Sequence, residues 1–411
     1  MFDLADAGAL GFDADRLGRI APFLTKTYID NGRLPNAQLL VARDGQPVHY
    51  TRLGVMGDDQ RELRDDALFR IASMTKPVTS VAFMQLVEQG LVALEEPVTK
   101  VFPEFADLAV YAGGGGSIPF APGKPTHTMR FVDLLTHMSG FTYGLQNRNN
   151  IDAVYREHNF DFARDHLDSD GFIAKLAKPP LEFAPGEGWN YSVSTDVLGI
   201  AVERISGMRL GDYFAKHIFA PLGMVDTHFG VAEGQSERLV DAYAYRPGQA
   251  PKMINAGATS KLNRAGTFDS GGGGLISTTA DYHRFATMLL NGGELGGARI
   301  VSPKTLRLMR TNHLPGNADL TEMSSSLFSE ANNAGTGFGL GFAMVIDPAK
   351  TLMPSSLGEF YWGGAHSTAF FVDPVERITM VFMTQVYPSS TYPIRRQLKT
   401  LIYSALTQTH A

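Results

Sequence analysis

Ser73-Met74-Thr75-Lys76 sets a hydroxyl one helical turn away from a primary amine. Residues three apart share a helix face, with Cβ atoms about 5–6 Å apart, so the Lys76 amine can reach the Ser73 hydroxyl and take its proton. The chemistry open to such a pair is acyl transfer through a serine nucleophile and a lysine base, an alternative to Ser-His-Asp. A Ser-x-x-Lys spacing arises by chance roughly once per few hundred residues, yet Ser73 is the only serine in this chain with a lysine three positions on. Ile71, Ala72, Val78, Val81 and Ala82 surround the pair. They place Lys76 beside a core helix, where an unpaired ammonium is costly. A surface serine with a solvated lysine does not account for that setting.

The helix that must carry the pair is legible. Pro77 is tolerated only in a first turn, where its missing N–H costs nothing. Val78 to Val87 continue as a mostly apolar helix, and Gly90 is a natural stop.

Composition narrows the remaining classes. At 411 residues the chain is long enough for one large or two ordinary domains. With 44% hydrophobic residues, 19% charged residues and a mean hydropathy near zero it reads as a soluble globular protein. The net charge of −6, with no basic run longer than Arg395-Arg396, makes nucleic acid and anionic membrane poor partners. No segment approaches the ~18 apolar residues of a membrane span. The N-terminus carries Asp3 and Asp6 where a secretory signal needs positive charge, which predicts a cytoplasmic protein. The absence of cysteine removes disulfides, thiol nucleophiles and thiolate metal sites, and the 11 histidines show no metal-binding spacing, so no metal and no cofactor is expected. No Gly-x-Ser-x-Gly occurs, which removes the α/β-hydrolase nucleophile elbow.

Gln38 to Arg43, Asp44-Gly45 and Gln46 to Thr51 read as a β-hairpin, because Asp-Gly supplies the positive φ of a type I′ turn. A second hairpin is expected from Ala365 to Val372, a turn at 373–377 and Ile378 to Gln385, with one further strand from Phe338 to Ile346. Helices bracket this material near Ala14 to Asp30 and Ile394 to Leu406. Between Val78 and Leu314 the periodic segments are mainly helical, including Asp196 to Ser206, Ala280 to Asn291 and Ser302 to Thr311. This order predicts an α+β architecture. An antiparallel sheet built from both chain ends and flanked by helices (1–82, 133–197 and 319–411) is interrupted by a mostly helical domain (83–132 and 198–318). Gly113 to Gly116 and Gly271 to Gly274 lack the context of a phosphate cradle and are expected to be flexible turns or rims of a cleft. Thr321 to Thr336, rich in Ser, Asn and Ala, reads as a cleft loop or a surface insertion.

Four segments, taken together, resemble serine β-lactamase-like hydrolases, and in detail the family VIII carboxylesterases related to class C β-lactamases and D,D-peptidases. They are Ser73-Met74-Thr75-Lys76, Leu134 to Gly140 (Leu-Leu-Thr-His-Met-Ser-Gly), Pro185-Gly186 leading to Tyr191-Ser192-Val193, and Trp362-Gly363-Gly364. The resemblance spans nearly the whole chain and implies the serine β-lactamase/transpeptidase-like fold. It also implies roles: Ser73 as nucleophile, Lys76 as general base, Tyr191 as the proton relay to the leaving alcohol, and the backbone N–H groups of Ser73 and Ala365 as the oxyanion hole. Which of Lys76 and Tyr191 takes the first proton stays open. Tyr191 alone would draw no notice among 14 tyrosines. A free lysine, with a pKa of about 10.4, is almost wholly protonated at neutral pH, so Lys76 must be desolvated or placed near another cation to act as a base. Asp196 is read as capping or charging the first turn of its helix, His137 as a helix end, and His366 as a substrate contact or packing residue beside the cleft.

Trp362 stands where β-lactamases carry a lysine that holds the substrate carboxylate, and Val193 where they carry an asparagine. Losing a charge-assisted bond costs about 1.5–3 kcal/mol. The site is therefore expected to take neutral, apolar acyl groups, lined by Trp362, Gly363, Gly364, His366, Phe141, Tyr143 and Tyr361. The expected function is hydrolysis of short-chain esters through an acyl-enzyme, with weak β-lactam hydrolysis as a side activity. A β-lactamase or D,D-peptidase and an acyltransferase are the rival enzymes, and a non-catalytic binding protein the rival from another class. The partner is a small-molecule ester; the sequence does not set the oligomeric state.

Overall fold

In the computed structural model, residues 2–115, 118–324 and 333–410 are described. Both chain ends contribute to one seven-stranded sheet. Its strands are β1 (Asn36–Arg43), β2 (Gln46–Gly54), β3 (Thr336–Phe338), β4 (Ala343–Val345), β5 (Phe360–Gly363), β6 (Ala369–Asp373) and β7 (Ile378–Met383). The order is β3-β4-β5-β6-β7-β1-β2, antiparallel throughout. The N-terminal hairpin forms at Asp44-Gly45, with φ of 52° and 77°. Its strand β1 zips onto β7 with Leu40 opposite Val381.

Because side chains alternate across a strand, the sheet buries two different faces. Leu39, Val41, Phe371, Met380 and Phe382 pack against the terminal helical segments, which supply Leu17, Ile20, Leu24, Ile394, Leu398 and Ile402. Phe370, Val372, Val381 and Met383 join the larger core. That core is built on α1 (Thr75–Glu88), α2 (Ser194–Ser206) and α3 (Thr279–Leu290), and α4 (Ile394–Ser404) closes the opposite face. Helix α1 is buried without a break from Thr75 to Met84, as an all-round apolar helix must be. It ends at Glu88, and Gly90 has φ 71°.

The strand expected from Phe338 to Ile346 is two strands. Gly341 turns the chain with φ 94°, and Gly339 N–H donates to Phe342 O at 2.8 Å. The second hairpin starts later than expected: residues 364–368 form a turn, closed by Gly364 N–H to Thr368 O at 2.8 Å, and β6 begins at Ala369. The N-terminal helical stretch is Ala14–Leu17 and Ile20–Leu24, the latter running into a π turn over Thr25–Ile29. The middle of the chain is helical but also holds small strands. Gly113 to Gly115, expected in a turn, lie in the strand Val110–Gly115, which pairs with Ile118–Gly123; Gly116 lies outside the described residues. Of the Thr321 to Thr336 stretch, 325–332 lie outside the described residues. No helix among the described residues is long and apolar enough to cross a membrane.

Candidate active site

Ser73 sits in a 3-10 turn, Ala72–Met74, that runs directly into α1, so Lys76 occupies the first turn of the α-helix. Ala72, immediately before Ser73, is held at φ 45°. A residue with a Cβ is strained there, and such strain persists only where the surroundings fix it. They do: Ile71 N–H donates to Leu275 O at 3.1 Å, Leu275 N–H donates to Thr75 Oγ1 at 3.1 Å, and Tyr282 Oη donates to Met74 O at 2.9 Å.

Lys76 is buried, 2% exposed. Its Nζ donates to Gly272 O at 2.6 Å, to Tyr143 Oη at 2.9 Å and to Ser73 Oγ at 3.3 Å. It lies 4.6 Å from the Tyr191 ring centroid. All three amine positions are thus used, one of them on the serine.

The glycine run Gly271 to Gly274 supplies the first of these acceptors. Thr79 Oγ1 donates to Gly271 O at 2.7 Å, and Gly272 N–H donates to Asp196 Oδ1 at 3.0 Å. A Cβ on Gly272 would lie 2.3 Å from Asp196 Oδ2. Asp196 lies in the first turn of α2, as expected. Its carboxylate, however, is spent across space, on Gly272 N–H and on Ser270 Oγ at 2.5 Å. Burial pushes its pKa up, and the nearby Lys76 charge pulls it back.

Tyr143 was expected in the substrate pocket. The structure instead turns its hydroxyl to Lys76, because the residue after it begins a short turn, Gly144–Gln146, pinned from beneath. Asp161 accepts from Gly144 N–H at 3.0 Å and Leu145 N–H at 2.7 Å, and Gln146 Nε2 donates to Tyr191 O. Burial, then the Asp196 charge, holds the Tyr143 phenol well above its ordinary pKa, hence neutral. Burial also pushes Asp161 up to about 6, against the pull of its two backbone donors.

Tyr191 is buried among rings: Trp189 stacks at 6.3 Å and 18°, and His137, Tyr143 and Trp362 lie at 5.0, 5.3 and 5.4 Å. His137 follows the helix Phe131–Leu135, where it was placed. Burial and the Lys76 charge keep it neutral, and its Nδ1 meets Ser192 Oγ at 3.2 Å.

A cavity opens beside Ser73. Its walls include Trp189, Tyr191, Tyr361, Trp362, Gly363, Gly364 and Ala365, and it extends to Met353 and Arg395. Phe141 and His366 do not line it. Phe141 packs on Phe105 in the core, ring centroids 5.5 Å apart. His366 sits by Tyr387 at 6.1 Å, its Nδ1 without a hydrogen bond, pushed down to about 3 by burial and by the Arg70 charge. The end of β5 abuts the serine turn. A Cβ on Gly364 would lie 2.3 Å from Ile71 O and 2.2 Å from Thr368 Oγ1, so only glycine fits. Among the described residues no group of three or more His, Asp or Glu side chains is placed to hold a metal ion.

Sequence reasoning missed Tyr143, Asp161 and Asp196 as supports of the lysine. The one available signal was the proximity of Gly271 to Gly274 to a cleft, with no indication of what the carbonyls would hold.

Comparison with known proteins agrees with this architecture. The family model described as Beta-lactamase matches residues 23–403. An uncharacterized protein of Mycobacterium tuberculosis is 35% identical over 87% of this chain and 88% of its own. Esterase EstB of Burkholderia gladioli is 31% identical over 97% of this chain and 98% of its own. Among solved structures, EstCE1, a hydrolase with promiscuous acyltransferase activity, superposes with a TM-score of 0.77 at 24% identity, covering 96% of this chain and 99% of that one. The fold, built around a serine turn that runs into a buried lysine helix, and the match over almost the whole length show that this chain belongs to the Beta-lactamase family.

Proposed function

We propose that the protein is a serine carboxylic-ester hydrolase that works through an acyl-enzyme on Ser73. The observation that carries this is the buried Lys76 amine, held by Gly272 O and Tyr143 Oη with its remaining position on Ser73 Oγ. Two fixed partners orient the nitrogen. A neutral amine in this place keeps its N–H bonds to Gly272 O and Tyr143 Oη and turns its lone pair to the serine hydroxyl.

Ser73 Oγ attacks the ester carbonyl carbon as its proton passes to Lys76. The negative charge that develops on the carbonyl oxygen is met by the N–H groups of Ser73 and Ala365, a device worth about 10²–10³ in rate per donor. The C–O bond then breaks, and the alcohol leaves with a proton relayed through Tyr191. Water adds to the Ser73 acyl ester by the same steps in reverse order. The similarity to esterase EstB supports an ester as substrate. Trp189, Tyr361 and Trp362 on the cavity wall support a neutral acyl group, since no cation stands at position 362 and the basic residues of the cavity are engaged elsewhere: Lys399 on Glu359, Arg395 on Gly364 O and Thr368 O, Arg396 on Leu352 O.

The test is intact mass and peptide mapping after brief exposure to a p-nitrophenyl short-chain ester, and separately to a cephalosporin, in wild type and Ser73→Ala. A transient adduct on the Ser73 peptide with rapid ester turnover, both lost in the variant, is expected. Unchanged turnover in Ser73→Ala would refute the mechanism. Faster deacylation of the cephalosporin than of the ester would assign the protein to β-lactam hydrolysis instead.

A further inference from the structure

Arg395 occupies the first turn of α4, which contains no acidic residue. A cation there opposes the helix dipole, so helix stability does not explain it. Its guanidinium reaches back to the cleft strand. Nη2 donates to Gly364 O at 3.1 Å and to Thr368 O at 3.0 Å. The space it fills exists only because residue 363 is glycine: a Cβ there would lie 2.5 Å from Arg395 Cζ and 2.6 Å from Nη2.

The two carbonyls that Arg395 grips close the turn that carries Ala365. Gly364 N–H donates to Thr368 O at 2.8 Å, and Ser367 N–H donates to Gly364 O at 2.9 Å. The same turn is tied to the residues before the nucleophile by Thr368 Oγ1, which donates to Ile71 O at 3.3 Å. Gly364 C=O and Ala365 N–H are the two ends of one peptide unit. A charged donor and a backbone donor on its oxygen draw electron density from the nitrogen end and strengthen the N–H as a donor, the cooperative effect of linked hydrogen bonds.

We propose that Arg395 is a positioning residue for the oxyanion site: it fixes and polarises the Gly364–Ala365 peptide from behind. This rests on the assignment of Ala365 N–H to the oxyanion hole. Both bonds come from the one nitrogen Nη2, and a lysine cannot replace it because its compact, rounded ammonium lacks the flat guanidinium that lies against Gly363 and delivers that nitrogen to both carbonyls.

The experiment uses the full chain labelled with ¹⁵N-alanine, an alkyl trifluoromethyl ketone as a probe that forms a tetrahedral oxyanion on Ser73, and the variants Arg395→Lys and Arg395→Gln. In wild type the Ala365 amide proton is expected to move downfield on adduct formation. Removing a whole oxyanion donor costs about 10²–10³ in rate, so weakening one is expected to lower kcat by about tenfold. KM for a neutral p-nitrophenyl ester should stay within about twofold, and probe affinity should fall in step with kcat/KM. The downfield shift should shrink in both variants. Because Arg395→Gln removes a charge that ties α4 to the cleft strand, thermal melts accompany it to establish that it is folded, and rescue of Arg395→Ala by methylguanidine gives a second route to the same result.

If the ketone adds to Ser73 but the wild-type Ala365 amide does not move, the oxyanion assignment itself fails. If the wild-type amide moves, and the folded variants keep wild-type kcat, probe affinity and shift, the role given to Arg395 is overturned. A raised KM with unchanged kcat overturns it too, making Arg395 a substrate contact.

Discussion

Asp161→Asn tests whether the turn beneath Tyr143 rests on a carboxylate whose burial or whose hydrogen bonding prevails. Two backbone N–H groups favour the ionised form of Asp161. Burial opposes it, as do the charges of Asp196 and Asp152, and burial wins, raising the folded pKa from 3.8 to about 6. An acid whose pKa is raised on folding binds its proton more tightly in the native state, so its contribution to stability falls as pH rises through the interval between the two values. A shift of this size corresponds to about 3 kcal/mol, of which about 1.4 kcal/mol is lost between pH 5 and pH 7.5. Asparagine has no such titration. It keeps one acceptor and turns an NH₂ group toward the other backbone N–H, a loss of order 1–3 kcal/mol that is the same at every pH in this range. The assay is urea unfolding of both proteins at pH 5.0, 6.0 and 7.5. The stability difference, wild type minus variant, should shrink by about 1.4 kcal/mol from the lowest pH to the highest. A difference that grows with pH would refute the reasoning, because it would mean that the two N–H donors outweigh burial and depress the pKa.

Other perturbations probe the supports in turn. Gly364→Ala pushes a methyl group into Ile71 O, a backbone atom fixed in the serine turn; a loss of about 1–3 kcal/mol in urea melts and an at least ~100-fold fall in kcat/KM are expected. Asp196→Ala leaves the buried Gly272 N–H without its acceptor. It should cost about 1–3 kcal/mol and lower kcat more than it raises KM, since the Gly272 carbonyl that holds Lys76 is freed. Lys399→Met strands Glu359, which accepts from Lys399 Nζ at 2.5 Å in a buried pair. Melts should show a loss of about 3–5 kcal/mol, largely recovered in the double variant Lys399→Met with Glu359→Leu.

What could be read from the sequence was what depends on local chemistry. Asp44-Gly45 specifies its turn through positive φ, Pro77 and Gly90 bracket α1, and the Ser73 to Lys76 spacing is a property of one helix. What was not legible around the site depends on long-range support. Phe338 to Ile346 looks like one strand because nothing nearby shows that Gly341 must make room for Ser80, 2.2 Å from where its Cβ would be. Asp196 is the helix-start residue it was read as, but nothing local shows that its carboxylate also holds Gly272, 76 positions away. Tyr143 looks like a pocket aromatic because only the tertiary fold brings it to Lys76, 67 positions earlier. Aromatic residues carry no sign of whether their ring or their hydroxyl will be used.

The pairing of β1 with β7 bears on how the protein comes to life on the ribosome. Ser73, Lys76 and the first hairpin all emerge early, yet β1 has its inner neighbour only once Ile378–Met383 has been made. Until then it presents an open strand edge, and the strand that follows the turn bearing Ala365, β6, lacks its partner β7. Such distant pairing is slow to form. A chain arrested before residue 378 should therefore hold Ser73, Lys76 and Tyr191, the proposed catalytic set, and still be inert. Ester turnover in a translation reaction would then report release of the finished chain, and the waiting edge of β1 marks where a chaperone has reason to bind.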